Sequence, residues 1–305
     1  MEPLKVLHWN ARGVRGKIAR LRLALSSHDI DVALLSETQL SPNIPVKVPG
    51  YHVYRLDYVT DPPSRSCRGL MICVRRRIIH QILPDTNTVS LQSLGIELLL
   101  EGRPLSIFAA YKPPASRLNV ADIHQLLSKE PAVIAGDLNS KHPAWNSTCA
   151  CPNGRVLHRD AEAQSYEVLG PDTPTRYPDD ARTSPEVLDI VVCKGLQGSI
   201  FQEVLPDCLQ SDHHPVLLHI HGSPASLPPP PRRPKTDWER FKEYLHDNTP
   251  SFPVSTPQEV DDLAEALDAA LRRAREHSEI PAPTTPRQLS PSRCDSGRSF
   301  PVRQP

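Results

Sequence analysis

The run Pro131-Ala-Val-Ile-Ala-Gly-Asp-Leu-Asn-Ser-Lys-His142 places a carboxylate, an amide and an imidazole directly after an apolar stretch. A buried strand that delivers polar groups to a pocket at its C-terminal end reads this way. The pattern recurs, because Asn10, Glu37, Tyr111, Asp137, Asn139, Asp189, Asp212 and His213 all stand at the ends of, or inside, apolar runs. Singly, most have a structural explanation. Asn10 fits a turn, Glu37 a helix cap and Tyr111 a strand aromatic with a wet hydroxyl. Asp137 and Asn139 fit an Asx-turn, and Asp212-His213-His214 fits a turn with surface histidines. Asp189 resists such a reading, since a carboxylate within Val187-Leu-Asp-Ile-Val-Val192 is buried and needs a partner.

Jointly these side chains suit metal-assisted phosphoryl chemistry. A hard divalent cation takes carboxylate oxygens, here from Glu37 and Asp212. Such an ion stabilises charge on phosphoryl oxygens and on a leaving alkoxide. Asp137, Asn139 and Asn10 can aim a water in line with the leaving oxygen. His213, Tyr111 and Asn139 can donate to a pentacovalent phosphate. Asp189 can accept the second N–H of His213, fixing and charging the imidazole.

The elements that must position these groups can be outlined from periodicity. Residues 4–9 alternate into a strand broken by Asn10-Ala-Arg-Gly13, 17–27 have helical spacing, and 31–36 form a second apolar strand. Strands follow at 51–56, 69–74, 78–83, 89–100 and 105–111, with Glu101-Gly-Arg-Pro104 as a hairpin turn. Helices are expected at 120–128 and 154–166, and strands at 132–135, 187–192 and 215–220. Hairpins mixed with helical crossovers argue for a mixed-sheet α/β sandwich rather than an all-parallel wound sheet. The composition changes at Gly222. Residues 222–235 are a proline-rich linker, 236–280 carry two amphipathic helical segments, and 281–305 are Pro, Ser, Thr and Arg, composed like a disordered tail. The first domain is therefore placed at 1–221.

Composition narrows the partners. Lys plus Arg and Asp plus Glu both number 35, so bulk positive charge holds no partner, and a nucleic-acid site must rest on local patches. The cysteines number seven, and Cys73 and Cys193 sit in apolar runs, as reduced thiols of an intracellular protein do. Cys149-Ala-Cys151 lacks a second Cys/His pair at zinc spacing. No signal-peptide core or membrane-spanning run is present.

Six motifs fall in a recognisable order: Trp9-Asn10-Ala-Arg-Gly13, Leu35-Ser-Glu37-Thr38, Tyr111-Lys-Pro-Pro114, Gly136-Asp137-Leu-Asn139, Leu188-Asp189 and Ser211-Asp212-His213-His214-Pro215. Their order resembles the endonuclease/exonuclease/phosphatase superfamily. More narrowly, residues 4–221 resemble the apurinic-like endonuclease domain of jockey-type non-LTR retrotransposon polyproteins. Gly136 to Asn146, Pro171-Asp-Thr-Pro-Thr-Arg-Tyr177 and Ser184 to Gly195 carry the narrower likeness.

The resemblance implies a four-layer αββα sandwich of two mixed β-sheets, followed by a short helical connector and a disordered tail. It implies a DNA endonuclease that nicks one strand of a duplex and leaves a 3′-hydroxyl to prime reverse transcription. Mg²⁺ is the implied cofactor, with Mn²⁺ as the alternative ion. Glu37 would be the principal metal ligand with Asn10 beside it, and Asp212 would complete the acidic cluster. Asp137 would orient or deprotonate the water, Asn139 would position it, and Tyr111 would contact the phosphate. Asp189 and His213 would form the carboxylate–imidazole pair. His142 would lie near the DNA-facing rim, and Lys141 is a candidate DNA contact near the active site. Arg12 stands where apurinic repair enzymes carry an acidic residue, which argues against a second metal and a repair role and suits a phosphate contact. Arg15, Lys17, Arg65, Arg68 and Arg75-Arg76-Arg77 are further candidate DNA contacts.

Thr236-Asp-Trp-Glu-Arg-Phe241 and residues 256–278 match the connector that leads to the reverse transcriptase in these polyproteins. No reverse transcriptase follows within the 305 residues, so a truncated copy or fragment is expected. The implied partner is double-stranded DNA in the nucleus, with no membrane association. The rival expectations are another phosphoesterase of the superfamily, such as an inositol-phosphate phosphatase or sphingomyelinase, and a catalytically inactive relic that only binds DNA or partners.

Overall fold

The computed structural model describes residues 3–57, 68–180, 182–228 and 235–280. The chain folds as two compact units that divide between Pro228 and Pro229. In the first, β1 (Leu4–Asn10) leads to α1 (Ile18–Ser27) and then β2 (Val32–Ser36), which pairs parallel to β1. β4 (Leu70–Arg75) pairs antiparallel to β2, and β3 (Tyr51–Leu56) pairs antiparallel to β4 at the sheet edge. β5 (His80–Ile82), β6 (Gln92–Leu100) and β7 (Arg103–Tyr111) form a meander. α2 (Val120–Leu127) crosses to β8 (Ala132–Asp137), which lies parallel to β7. α3 (Pro152–Gln164), β9 (Glu167–Leu169), β10 (Asp189–Lys194), β11 (Ile200–Val204) and β12 (Val216–Ile220) complete the unit.

These strands make two six-stranded sheets, ordered β11-β12-β1-β2-β4-β3 and β5-β6-β7-β8-β10-β9. Both are mixed, because each holds one parallel pair among antiparallel neighbours. Period-two alternation explains the layering. Leu4, Val6, Leu34 and Ile72 of one sheet meet Ile96, Ile107, Val133 and Val191 of the other in a shared core. The opposite face of the first sheet, with Leu7, Trp9 and Leu35, packs on Leu21 and Leu25 of α1. The outer face of the second, with Phe108, Ile134 and Ile190, packs on Ile123 and Leu126 of α2 and Leu157 of α3. The result is the expected four-layer αββα sandwich. Burying a core side chain of this size contributes about 1.5–3 kcal/mol, so the three apolar layers hold the strand ends in register.

Several boundaries differ from those read off the sequence. β10 begins at Asp189 instead of enclosing it. β9 and β11 were not expected, since one has three residues and the other is a half-exposed edge strand. The β6–β7 turn is tighter than the four-residue estimate. Leu100 pairs with Arg103, leaving Glu101 (φ 49°) and Gly102 (φ 76°) as a two-residue loop with both residues left-handed. Residues 223–227, read as linker from composition, bond to the first unit through bridges Leu100–Pro224 and Ile78–Ser226.

The second unit pairs β13 (Lys235–Thr236) with β14 (Glu279–Ile280) around α4 (Trp238–Asn248) and α5 (Pro257–His277). Asp237 caps α4, accepting from the backbone N–H groups of Glu239 and Arg240. Thr256 and Glu259 form a reciprocal capping box at the start of α5. The expected tail, 281–305, and most of the proline-rich linker, 229–234, lie outside the described residues. No helix among the described residues is long and apolar enough to cross a membrane.

Candidate active site

Strand direction brings the polar residues to one end of the sandwich. β1 and β2 are parallel, with Asn10 opposite Ser36, so Asn10 and Glu37 emerge side by side at their C-terminal ends. β7 and β8 are parallel and end together at Tyr111 and Asp137. β10 is antiparallel to β8, so its first residue, Asp189, lies directly opposite Asp137. His213 enters the same end just before β12, which runs antiparallel to β1. Gly136 is required here, because a Cβ on it would lie 1.7 Å from the Ala110 carbonyl oxygen. That close approach of β7 and β8 sets Asp137 beside Tyr111.

The backbone at this end is strained. Arg12, Glu37 and Asn139 adopt φ of 43°, 48° and 45°, in the left-handed region that L-residues seldom enter. Such positions cost about 1 kcal/mol or more and cluster where geometry serves function.

The side chains form one connected network. The amide of Asn10 donates 2.9 Å bonds to both Glu37 Oε1 and Asp137 Oδ2, joining the two sheets. Asp137 Oδ1 accepts the Asn139 backbone N–H at 3.1 Å, and the Asn139 amide donates to the Lys112 carbonyl at 2.9 Å. Asp189 Oδ2 lies 2.7 Å from His213 Nδ1, and His213 Nε2 lies 3.9 Å from Asp137 Oδ2. His213 therefore stands between two buried carboxylates.

Electrostatics follow from that placement. Burial alone would lower the His213 pKa, but the charge and hydrogen bond of Asp189, with Asp137 and Asp212 behind them, raise it to about 9. At neutral pH the ring is an imidazolium and donates from both nitrogens. Burial would raise the Asp189 pKa, yet the charge and hydrogen bond of His213 hold it below the usual carboxylate range. Asp137 is pushed up to about 7 by burial, with His213 opposing and Asp189 adding to the shift. That value suits a group that exchanges protons with water near neutrality. Burial and then the charges of Glu37 and Asp137 raise the Tyr111 phenol, so it remains a neutral donor.

Not every expected site residue joins this network. Asp212 was expected as a metal ligand, but guanidinium groups engage both its oxygens. Oδ2 lies 3.2 Å from Arg176 Nε and Oδ1 lies 3.6 Å from Arg12 Nη1. Arg12 is half exposed at the mouth and also pairs with Asp179 at 2.8 Å. Lys141, a candidate DNA contact near the active site, has its Nζ 3.4 Å from the buried carboxylate of Glu186. His142 stacks on His158 with ring centroids 4.2 Å apart, and its Nδ1 accepts the Ala144 N–H. Arg68 lies close enough for its charge to act on the Tyr111 phenol. Arg65 falls outside the described residues.

Other residues of the network were missed from sequence. Thr175 donates to Asp189 Oδ2 at 2.6 Å and accepts the N–H groups of Leu188 and Asp189. The indole of Trp9 donates to the His213 carbonyl at 3.1 Å, and Ser211 Oγ donates to the Asn10 carbonyl at 2.8 Å. Thr175 and Ser211 stood inside motifs already noted, and their hydroxyls beside Arg176 and Asp212 were the available signal.

The donor set bears on a metal. Among the described residues, no three His, Cys, Asp or Glu side chains converge to cage an ion. Glu37 offers a hard carboxylate with the Asn10 amide beside it, which fits an ion such as Mg²⁺ that keeps several waters and takes one or two carboxylates. It does not fit a zinc-type site.

A family model described as Endonuclease/Exonuclease/phosphatase family matches residues 7–213, and the chain belongs to that family. The sequence is homologous to RNA-directed DNA polymerases of non-LTR elements. It is 31% identical to the RNA-directed DNA polymerase from mobile element jockey of Drosophila funebris, covering 94% of this chain and 32% of that protein. It is 27% identical to a probable RNA-directed DNA polymerase from transposon BS of Drosophila melanogaster, covering 93% of this chain and 32% of that one. The chain thus spans about a third of these relatives. The fold matches the endonuclease domain of TRAS1, a telomere-specific non-LTR retrotransposon, with a TM-score of 0.59, 18% identity and coverage of 72% and 99% of the two chains. The AP endonuclease LMAP from Leishmania major follows at 0.54 and 17%, with coverage of 72% and 88%.

Proposed function

We propose that the chain is the endonuclease part of a non-LTR retrotransposon polyprotein. It hydrolyses a phosphodiester in one strand of duplex DNA and leaves a 3′-hydroxyl that primes reverse transcription. The observation that carries this reading is His213 held between Asp189 and Asp137, with Asp137 tied through Asn10 to Glu37.

Asp137, with its pKa near neutrality, takes a proton from the attacking water while Asn139 and Asn10 fix its direction. The water oxygen bonds to phosphorus, the bond to the 3′ oxygen breaks, and that oxygen takes a proton from bulk water to become the 3′-hydroxyl, while Asp137 returns its proton to solvent. The His213 imidazolium and the Tyr111 hydroxyl donate to the phosphoryl oxygens as charge develops. Glu37, beside Asn10, would hold Mg²⁺, or Mn²⁺ in its place. When bound, the ion supplies charge stabilisation for the phosphoryl oxygens and the leaving group. Asp212 serves in this scheme to anchor Arg12 and Arg176 at the mouth, where their guanidinium groups meet the DNA backbone. His142 and Lys141 take secondary places on the rim.

A full-length element would supply the reverse transcriptase, and action on chromosomal DNA places the protein in the nucleus. The test is to nick plasmid with Mg²⁺ and offer the product directly to a DNA polymerase. Extension without prior phosphatase treatment is expected. Phosphate release from inositol phosphates with no plasmid nicking would overturn the reading in favour of another phosphoesterase.

A further inference from the structure

The two oxygens of Asp189 are used unequally. Oδ2 receives both the Thr175 hydroxyl at 2.6 Å and His213 Nδ1 at 2.7 Å. Oδ1 is buried without a hydrogen-bond partner among the described residues, and so is Nε2 of His8. These two atoms face each other at 3.4 Å. His8 is 1% exposed and Asp189 1% exposed, so bulk solvent does not reach either atom.

Strand alternation explains how an imidazole comes to be there. Leu4 and Val6 of β1 point into the core between the sheets, and His8 and Asn10 continue that face toward the site. β1 lies inside its sheet, with His8 opposite Val216 on one side and Leu34 on the other. Its backbone is thereby fixed by both neighbours. Neither Leu nor Val at this position would meet the buried oxygen of Asp189.

We propose that His8 is a positioning residue that donates its Nε2–H to Asp189 Oδ1, so that the carboxylate is held between two imidazoles. Gripped at both oxygens, Asp189 cannot rotate about its terminal bond, and its hydrogen bond fixes the plane of the His213 ring. That plane decides where His213 Nε2 points, and hence its donation to the phosphate. The 3.4 Å separation is long for an N–H···O bond, as links in catalytic networks often are before substrate closes them. The kinetic part of the proposal rests on the nuclease reading; the hydrogen bond does not.

The test uses the full chain with His8→Leu and His8→Gln, plasmid nicking with Mg²⁺, and ¹⁵N NMR of the histidine rings. His8 is expected to carry its proton on Nε2. His8→Leu is expected to lower kcat about 10–100-fold with KM for DNA changed less than about threefold. His8→Gln, which keeps an N–H donor of similar reach, restores most of the rate. A ring protonated on Nδ1 alone overturns the proposal. Equal rates for wild type and His8→Leu, or equal loss in both variants, overturn it as well. Should the wild type fail to nick plasmid, the nuclease reading falls, while the NMR tautomer still decides the His8–Asp189 bond.

Discussion

Asp137 and Asp189 stand directly opposite each other on β8 and β10, and His213 reaches between them, 2.7 Å from Asp189 and 3.9 Å from Asp137. Like charges this close and this buried would drive one carboxylate to hold its proton. The imidazolium relieves that pressure, and it divides the pair by role. Asp189 is tied to the ring and remains an anion, while Asp137 sits near neutrality and is free to exchange a proton. Asp189→Asn should therefore lower the nicking rate about 10³–10⁴-fold, because the ring loses both its charge and its orientation. Nicking time courses beside a thermal melt check this. Unchanged activity in a folded variant contradicts the role.

Asn139 separates backbone strain from chemistry. Its φ of 45° favours glycine, so Asn139→Gly should leave the melting temperature near that of the wild type. The same change keeps the backbone N–H that bonds Asp137 but removes the side-chain amide held on the Lys112 carbonyl, and should slow nicking about 100-fold. Loss of stability with activity per folded molecule unchanged would show that Asn139 is structural.

The raised pKa of His213 predicts a pH dependence of stability. Its folded value, about 9, exceeds the unfolded value near 6.5. The imidazolium's contribution is then fully present below about 6.5 and is lost as pH rises through about 9. The difference in melting temperature between wild type and His213→Gln should shrink across that window. A difference that stays constant from pH 6 to pH 10 contradicts the charged pairing.

Burial pushes the thiols of Cys73 and Cys193 up to about 12. Both therefore remain unreactive thiols at pH 8.5. Exposed Cys149 should be alkylated by iodoacetamide in the native protein, while Cys73 and Cys193 react only after unfolding. Peptide mapping after timed labelling checks this, and early modification of Cys73 would contradict the packing of the first sheet.

Much of this arrangement is legible in one dimension. Gly136-Asp137-Leu138-Asn139 announces a strand end because apolar periodicity stops where the polar residues begin, and Glu37 and Asn10 follow the same rule. Periodicity alone puts Asp189 inside its strand, because it marks an apolar run without marking where pairing begins, and pairing begins at Asp189. Asp212 reads as a free carboxylate until Arg12 and Arg176 arrive from distant loops, and such ion pairs leave no local trace. Likewise, the pairing of Lys141 with Glu186 depends on how the loop after β8 folds back. His8 has the inward phase of Leu4 and Val6, but its partner is 181 residues away on the other sheet. β9 and β11 are too short and too exposed for alternation to reveal them.

The most direct measurement is conversion of supercoiled plasmid to open circle by the purified chain with Mg²⁺, with EDTA, and with Glu37→Gln and His213→Ala in place of wild type. Nicking by the wild type with Mg²⁺ is expected, abolished by EDTA and lowered by about 10³-fold or more by either substitution. A folded wild-type chain that binds the plasmid without nicking it, or nicking that survives His213→Ala, would contradict that expectation.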